Sequence, residues 1–219
     1  MTLTPIQDSP QKTTQRITLH NVSWQTYKSL LADLGDHRTS LLAYDQGVLE
    51  ITMPSDFHEI TKHLLERIVI ALTEELNLSV RGVGSVTLDR EDLQKGAEPD
   101  AGFYIQNANK IRGRRIDLST DPPPDLVVEV DITSPSTRRF AIYKSLEVPE
   151  VWRYTQQAFQ IYQFQNGEYV LCENSPTFPI ISAATINQFL QQIETMDDDN
   201  TVIRSLRIWI RDRLQEQGN

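Results

Sequence analysis

The 219-residue chain contains one cysteine, no long apolar run and fewer basic than acidic side chains. The single thiol, Cys172, excludes an internal disulfide and a cysteine-based zinc site, and this scarcity suits a reducing cytosol. No apolar run approaches the roughly 18 residues that a membrane span requires, and residues 1–15 lack the apolar core of a signal peptide. We therefore expect a cytoplasmic protein with no membrane partner.

The charge balance is acidic, with 21 lysines and arginines against 30 aspartates and glutamates and a net charge of −9 at pH 7. This argues against a surface that binds nucleic acid broadly, but a local basic strip beside an acidic centre is compatible with it. Segment 110–115 contains four cations and no acid. It is either a solvated loop or one that contacts phosphates through Arg112, Arg114 and Arg115.

Both helices and strands are predicted from the periodicity of the apolar residues. Helical spacing predicts helices at 24–34, 57–76, 138–148, 184–193 and after the acidic run 197–199. Alternation and turn residues predict strands at 39–44, 48–52, 80–89, 101–105, 125–132, 150–154, 159–165 and 168–172.

No break in composition forces two globular domains, so we expect a single domain over residues 17–195. Residues 1–16 are polar and predict a loose N-terminal arm. Residues 196–219 predict a C-terminal helix. Its apolar stripe, beside Trp209, is a candidate oligomer contact, because an isolated stripe at the chain end requires cover.

The predicted strand 125–132 carries an unusual arrangement of acids. Asp125, Glu129 and Asp131 share one face, while the valine-rich sequence indicates burial on both faces. Crowded buried carboxylates repel each other unless a positive partner joins them, and a divalent cation is the simplest such partner. Asp125 follows Pro124 and suits strand entry better than metal binding. Asp100 follows Pro99 and is either a turn former or a ligand.

Several short runs together resemble a known family. They are Glu-Pro-Asp at 98–100, Pro-Asp-Leu-Val-Val-Glu-Val at 124–130, Ser-Pro-Ser-Thr at 134–137, Tyr143, and Val-Pro-Glu-Val-Trp at 148–152. These runs resemble the Uma-type restriction endonucleases of bacteria, which belong to the PD-(D/E)XK nuclease superfamily. The resemblance covers residues 24–172 and implies an α/β restriction-endonuclease-like core. We expect a mixed central sheet flanked by helices, with additional antiparallel hairpins and the C-terminal helix.

The resemblance also implies the activity, a metal-dependent endonuclease that hydrolyses phosphodiester bonds in DNA. Asp100 and Glu129 would bind Mg²⁺, for which Mn²⁺ could substitute, and the main-chain carbonyl of Val130 would complete the shell. Hard oxygen ligands of this kind suit Mg²⁺, which is typically held by one or two carboxylates and the substrate phosphate. The metal would acidify a water and screen the charge that builds on the phosphate.

The chain departs from the superfamily pattern at the lysine, which is replaced by Asp131. Family members often place a lysine four residues before the tyrosine equivalent to Tyr143, and that position is Arg139 here. An arginine can bind the scissile phosphate but cannot accept a proton from water, because it stays charged. The general base is therefore unassigned, and Asp131 is an additional ligand or the base itself.

Further contacts are expected around this centre. His58 or Glu59 either reaches the acids from the long helix or is a solvated first-turn residue. Arg138 is predicted to join the basic segment in contacting DNA. Cutting both strands calls for two active sites, so we expect a homodimer. The missing lysine favours a second function, a catalytically inactive nuclease-fold module that binds nucleic acid or protein; a hydrolase of small phosphoesters is a third.

Overall fold

A computed structural model describes residues 13–35, 39–111, 116–132, 137–192 and 198–217. The five helices are α1 (Trp24–Leu34), α2 (Asp56–Glu75), α3 (Thr137–Ser145), α4 (Ala183–Gln192) and α5 (Asp199–Gln217). The strands are β1 (Gln15–Leu19), β2 (Leu41–Asp45), β3 (Val48–Met53), β4 (Arg81–Gly84), β5 (Leu88–Arg90), β6 (Lys95–Ala97), β7 (Ala101–Tyr104), β8 (Leu126–Asp131), β9 (Glu150–Thr155), β10 (Phe159–Gln165) and β11 (Glu168–Cys172).

The strands form two sheets. The smaller sheet has the order β1-β3-β2-β6-β5, and all its pairs are antiparallel. The larger sheet has the order β11-β10-β9-β8-β7-β4, in which β8 and β9 run parallel and the other neighbours antiparallel. Parallel strands require a crossover, and helix α3 supplies it. The predicted mixed α/β fold with a mixed central sheet is confirmed.

Strand β8 lies between two apolar layers. Leu126, Val128 and Val130 pack into the core formed with α2, α4 and α5. Val127 points the other way and packs with residues of α3 and the smaller sheet. The alternation in the sequence therefore places the acidic positions of β8 on the face toward α3.

Helix α5 packs along α2 and completes the main core. Ile203, Leu206 and Ile210 of its apolar stripe are buried within the same chain, whereas Leu214 near the end of the helix is exposed. Arg207 Nη1 lies 2.9 Å from Glu75 Oε1, and Arg211 Nε lies 2.7 Å from Glu75 Oε2. Most of the stripe is therefore covered within the chain, and a dimer contact through this helix stays a prediction. The division of the chain near residue 195 stays a prediction.

Two expectations about secondary structure were wrong. The segment predicted as one bent strand at 80–89 forms β4 and β5, which belong to different sheets, because the chain turns away at Gly84 with φ of 59°. The predicted loose arm overlaps β1, in which Gln15 and Arg16 pair with Met53 and Thr52.

Helix α1 covers the outer face of the smaller sheet. It begins at the N-cap Ser23, whose Oγ accepts a hydrogen bond from the Thr26 amide at 3.1 Å. Tyr27 stacks on Tyr44 with a centroid distance of 5.0 Å. Gly96 in β6 lies beneath this ring, since a Cβ atom there would be 2.5 Å from the Tyr27 hydroxyl. The close packing of α1 on this sheet therefore depends on a residue without a side chain.

Candidate functional site

Asp100 and Glu129 are brought together by the pairing of β7 with β8. Ala101 lies opposite Val128, so the next pair of positions along the ladder is Asp100 and Glu129. Asp100 is 0% and Glu129 is 1% exposed. The Val130 amide donates to Asp100 Oδ2 at 2.6 Å, which fixes the Asp100 carboxylate against β8.

We call Asp100 and Glu129 the acidic pair. Two side chains of helix α3 contact it. Arg139 Nη1 lies 3.0 Å from Glu129 Oε2 and 3.9 Å from Asp100 Oδ1. Tyr143 donates a short hydrogen bond to Glu129 Oε1. Because residues four apart share one face of a helix, both side chains reach the acids together.

Helix α2 contributes His58 from its first turn. The helix starts at the N-cap Ser55, whose Oγ accepts from the His58 amide at 3.3 Å. His58 Nε2 lies 3.1 Å from Asp100 Oδ2, and its Nδ1 lies 3.4 Å from Glu59 Oε1. The Glu59 side chain is half-exposed and also pairs with Lys62 at 3.5 Å. Of the two alternatives from the sequence, His58 contacts the acidic pair directly, and Glu59 is connected to it through His58.

Burial and charge act in opposite directions on these groups. Burial raises the pKa of Glu129 to about 8, although the charge of Arg139 and the Tyr143 hydroxyl oppose this. Burial also acts to raise the pKa of Asp100, but the His58 hydrogen bond and the charges of His58 and Arg139 bring it below the usual value. For His58, burial alone would lower the pKa, but the hydrogen bonds to Asp100 and Glu59 raise it to about 9.

The remaining predicted site residues lie in other contacts. Asp131 Oδ2 accepts from Arg153 Nε at 2.7 Å, and Arg153 lies beside Glu129 in the parallel β8–β9 ladder. Asp125 Oδ2 accepts from the amides of Ile105 and Asn107 at 2.7 and 2.9 Å, which is a structural role at strand entry. Arg138 is half-buried beside Arg139 in α3. Arg112, Arg114 and Arg115 lie outside the described residues.

Sequence reasoning assigned no role to Tyr143 or Glu50. Tyr143 entered only as part of the family motif, although its spacing of four from Arg139 was a usable signal. Glu50 is a buried acid in the apolar strand β3, and its Oε1 lies 4.0 Å from Arg139 Nε and 3.4 Å from Arg16 Nε. A carboxylate at a core-facing strand position was the signal for Glu50.

The acidic pair supplies the type of ligand that a hard divalent ion prefers, because proteins usually bind Mg²⁺ through one or two carboxylates. Asp100 Oδ1 is buried and has no hydrogen-bond partner in the described chain. Over the same residues, no group of three histidine, cysteine, aspartate or glutamate side chains is arranged to hold a metal ion. The acids therefore match the ion in chemistry, but the gap between them holds the Arg139 guanidinium.

Comparison with known proteins identifies the family of the chain. Residues 24–194 match the model of a family described as "Uma2: Putative restriction endonuclease". The chain belongs to the Uma2 family. The resemblance drawn from the motifs between residues 98 and 152 is thereby confirmed, and membership supports a nuclease function.

One solved structure has a fold similar to that of this Uma2 chain. It is described as a putative nuclease belonging to DUF820 from Anabaena variabilis ATCC 29413 and is similar over 77% of this chain and 99% of its own, with a TM-score of 0.53. Its identity to this Uma2 chain is 13%, so the likeness concerns the fold alone. None of the curated proteins matches the chain. Within the part of the chain that is described, no helix has the length and apolar character to cross a membrane.

Proposed function

We propose that this Uma2 protein is a metal-dependent endonuclease that hydrolyses phosphodiester bonds in DNA at the Asp100–Glu129 pair. One observation carries the proposal. Two fully buried carboxylates from adjacent strands converge on a single cationic side chain, Arg139, which lies 3.0 and 3.9 Å from them. Two carboxylates exceed the single charge of the guanidinium, and a divalent cation is a partner whose charge would match both of them.

Asp100, Glu129 and the carbonyl of Val130 are the groups that would hold Mg²⁺ or Mn²⁺. When bound, the ion would supply a Lewis acid and an acidified water molecule. The positions of the two acids are held by their neighbours: His58 and the Val130 amide fix Asp100, and Tyr143 fixes Glu129. This support matters because catalytic geometry depends on side chains whose own rotamers are locked.

Arg139 is proposed to bind the scissile phosphate. Its Nε and Nη2 atoms are buried and have no hydrogen-bond acceptor in the described chain. Buried donors without acceptors are costly, and phosphate oxygens would satisfy them with charge-assisted hydrogen bonds. Arg139 stays charged and cannot act as a general base, so we assign it to binding and charge stabilisation.

The outer parts of the proposed site assist less directly. Asp131 is proposed to assist as an additional metal ligand or as the general base. For either role its carboxylate would have to break its hydrogen bond with Arg153. Glu59 would act through His58, which it contacts. Arg138 and the arginines Arg112, Arg114 and Arg115 are proposed to contact backbone phosphates without reading sequence. We propose that the protein cuts both strands of a duplex as a homodimer, in which each subunit supplies one active site.

A specific observation favours a second function. Because the guanidinium of Arg139 already lies between the two carboxylates and the superfamily lysine is absent, the fold suits a catalytically inactive nucleic-acid-binding or protein-interaction module. This candidate differs from the first in one measurable property, metal-dependent cleavage.

Cleavage of supercoiled plasmid with Mg²⁺ or Mn²⁺ separates the two functions. We compare the wild type with Glu129→Gln and Asp100→Asn, and use Glu168→Gln, which removes an exposed carboxylate paired with Lys144, as the control. For an enzyme we expect nicking that requires metal, falls by at least about 10²-fold in the two acid variants as for loss of a key transition-state contact, and is unchanged in the control. Equal traces in the wild type and Glu129→Gln would point to contamination and to the inactive module.

A further inference from the structure

We propose that Arg139 is a resident counter-cation that occupies the gap between Asp100 and Glu129 and keeps a divalent ion out of it in the DNA-free protein. The inference rests on the proposed site, and its test measures metal affinity and not cleavage. It concerns how the acidic pair is neutralised before any substrate binds.

The carboxylate oxygens of the pair are largely taken by protein donors. Glu129 Oε1 accepts from Tyr143, and Glu129 Oε2 lies 3.0 Å from Arg139 Nη1. Asp100 Oδ2 accepts from the Val130 amide and contacts His58. Asp100 Oδ1 is the oxygen without a hydrogen bond, and Arg139 Nη1 lies 3.9 Å from it.

An ion that bridges the two acids would have to take the place of the guanidinium. Mg²⁺ binds oxygen ligands at about 2.0–2.1 Å, so a bridging ion must lie between Asp100 Oδ1 and Glu129 Oε2. Arg139 Nη1 already contacts both of these atoms. The two cations therefore compete for one position.

The local charge also opposes a further cation. Arg139 is 2% exposed and permanently charged, and His58 contacts the pair from the opposite helix. The Arg139 guanidinium already balances part of the charge of the two acids, and an additional divalent ion beside it would bring uncompensated positive charge into a buried site, which is costly. On the other side of the guanidinium, Glu50 Oε1 lies 4.0 Å from Arg139 Nε.

The test is a titration of the DNA-free protein with Mn²⁺, in which the free ion is measured by electron paramagnetic resonance. The key comparison is the wild type against Arg139→Gln. A matched control, Arg153→Gln, removes the neighbouring arginine, whose guanidinium pairs with Asp131. The double variant Arg139→Gln/Glu129→Gln shows whether any bound ion lies at the pair.

We expect Arg139→Gln to bind Mn²⁺ at least about tenfold more tightly than the wild type, because an opposite charge at this distance changes a carboxylate's proton affinity by about one to three pKa units. The gain should disappear in the double variant and be much smaller in Arg153→Gln. Three results would overturn the inference: equal affinity in the wild type and Arg139→Gln, no binding by either when both are folded, or an equal gain in Arg153→Gln.

Removing Arg139 takes the permanent positive charge away from two buried acids, so circular dichroism first checks that Arg139→Gln folds. If it does not fold, the wild type decides. Saturable Mn²⁺ binding that Glu129→Gln abolishes overturns the inference, and its absence supports it. Wild-type Mn²⁺ binding at the pair would overturn the counter-cation proposal and leave the nuclease proposal intact, because metal binding there is what cleavage requires. A failure of plasmid cleavage would leave the metal titration unaffected.

Discussion

His58 Nε2 and Asp100 Oδ2 lie 3.1 Å apart in the interior of the protein and connect the first turn of α2 to the start of β7. Both side chains are almost completely buried. The contact therefore joins the helical layer to the sheet at the position where the two acids meet. A change at His58 should be felt by Asp100 and by the packing of α2.

Replacing His58 with leucine should destabilise the protein by about 3–5 kcal/mol, because it breaks a buried pair and removes one of the three groups that contact the Asp100 carboxylate. Urea denaturation measures this loss. The control is His63→Leu, an exposed residue on the same helix, which should change the free energy of unfolding by no more than about 0.5 kcal/mol. Equal losses in both variants would show that the contact contributes no stability.

The pair Asp131–Arg153 should show measurable coupling. A double-mutant cycle with Asp131→Asn and Arg153→Gln should give a coupling free energy of about 0.5–3 kcal/mol, since the two side chains are mostly buried and hydrogen-bonded. The comparison is the exposed pair Lys144–Glu168, for which about 0.2–1 kcal/mol is typical. A coupling for Asp131–Arg153 no larger than that of the exposed pair would contradict the prediction.

Gly96→Ala should destabilise the protein by about 1–3 kcal/mol, because the new methyl group would overlap the Tyr27 hydroxyl and approach the Asp89 Cβ to 2.9 Å. Thermal or urea unfolding measures the change. Gly82→Ala is the matched control in another strand, since its nearest contact would be an ordinary 3.5 Å to Phe103, and it should change stability by less than about 1 kcal/mol. The prediction fails if Gly96→Ala is tolerated as well as Gly82→Ala.

The contact between α2 and α5 should weaken in acid. The hydrogen bond from Arg211, opposed by partial burial and reinforced by Arg207, lowers the pKa of Glu75 from 4.5 to about 2. A lowered folded-state pKa contributes stability that is present above the unfolded value of 4.5 and is lost as the pH falls through about 2.

Unfolding free energies of the wild type and Glu75→Gln, measured from neutral pH into acid, test this expectation. Their difference should shrink as the pH falls from about 4.5 to about 2. The same substitution in an Arg211→Gln background should show a smaller difference at neutral pH. A difference that is independent of pH would mean that the charge of Glu75 does not stabilise the α2–α5 contact.

Much of the fold could be predicted because local signals agreed with the tertiary structure. The hairpin turn at Asn166-Gly167 and the cap residues Ser23 and Gly35 all lie where the sequence placed them. The predictions failed where the structure depends on pairing between strands that are distant in the sequence. Nothing in the local sequence shows that β4 and β5 join different sheets, or that the polar residues of β1 gain a partner in β3.

The candidate site was predictable to a similar extent. The family resemblance indicated Asp100, Glu129 and Arg139. Which of the adjacent residues His58 and Glu59 faces the acids depends on the rotation of α2 about its axis, which the core packing of that helix sets. The pairing of Asp131 with Arg153 depends on the order of β8 and β9 in the sheet, which the chain sequence does not state.

The burial of α5 has a practical consequence for work with shortened chains. The family match ends at residue 194, yet Val202, Leu206 and Ile210 fill the layer above α2. A fragment trimmed to the family boundary would uncover that layer and is expected to aggregate. Affinity tags or fusion partners belong after the exposed last turns of α5, where they disturb no packed side chain.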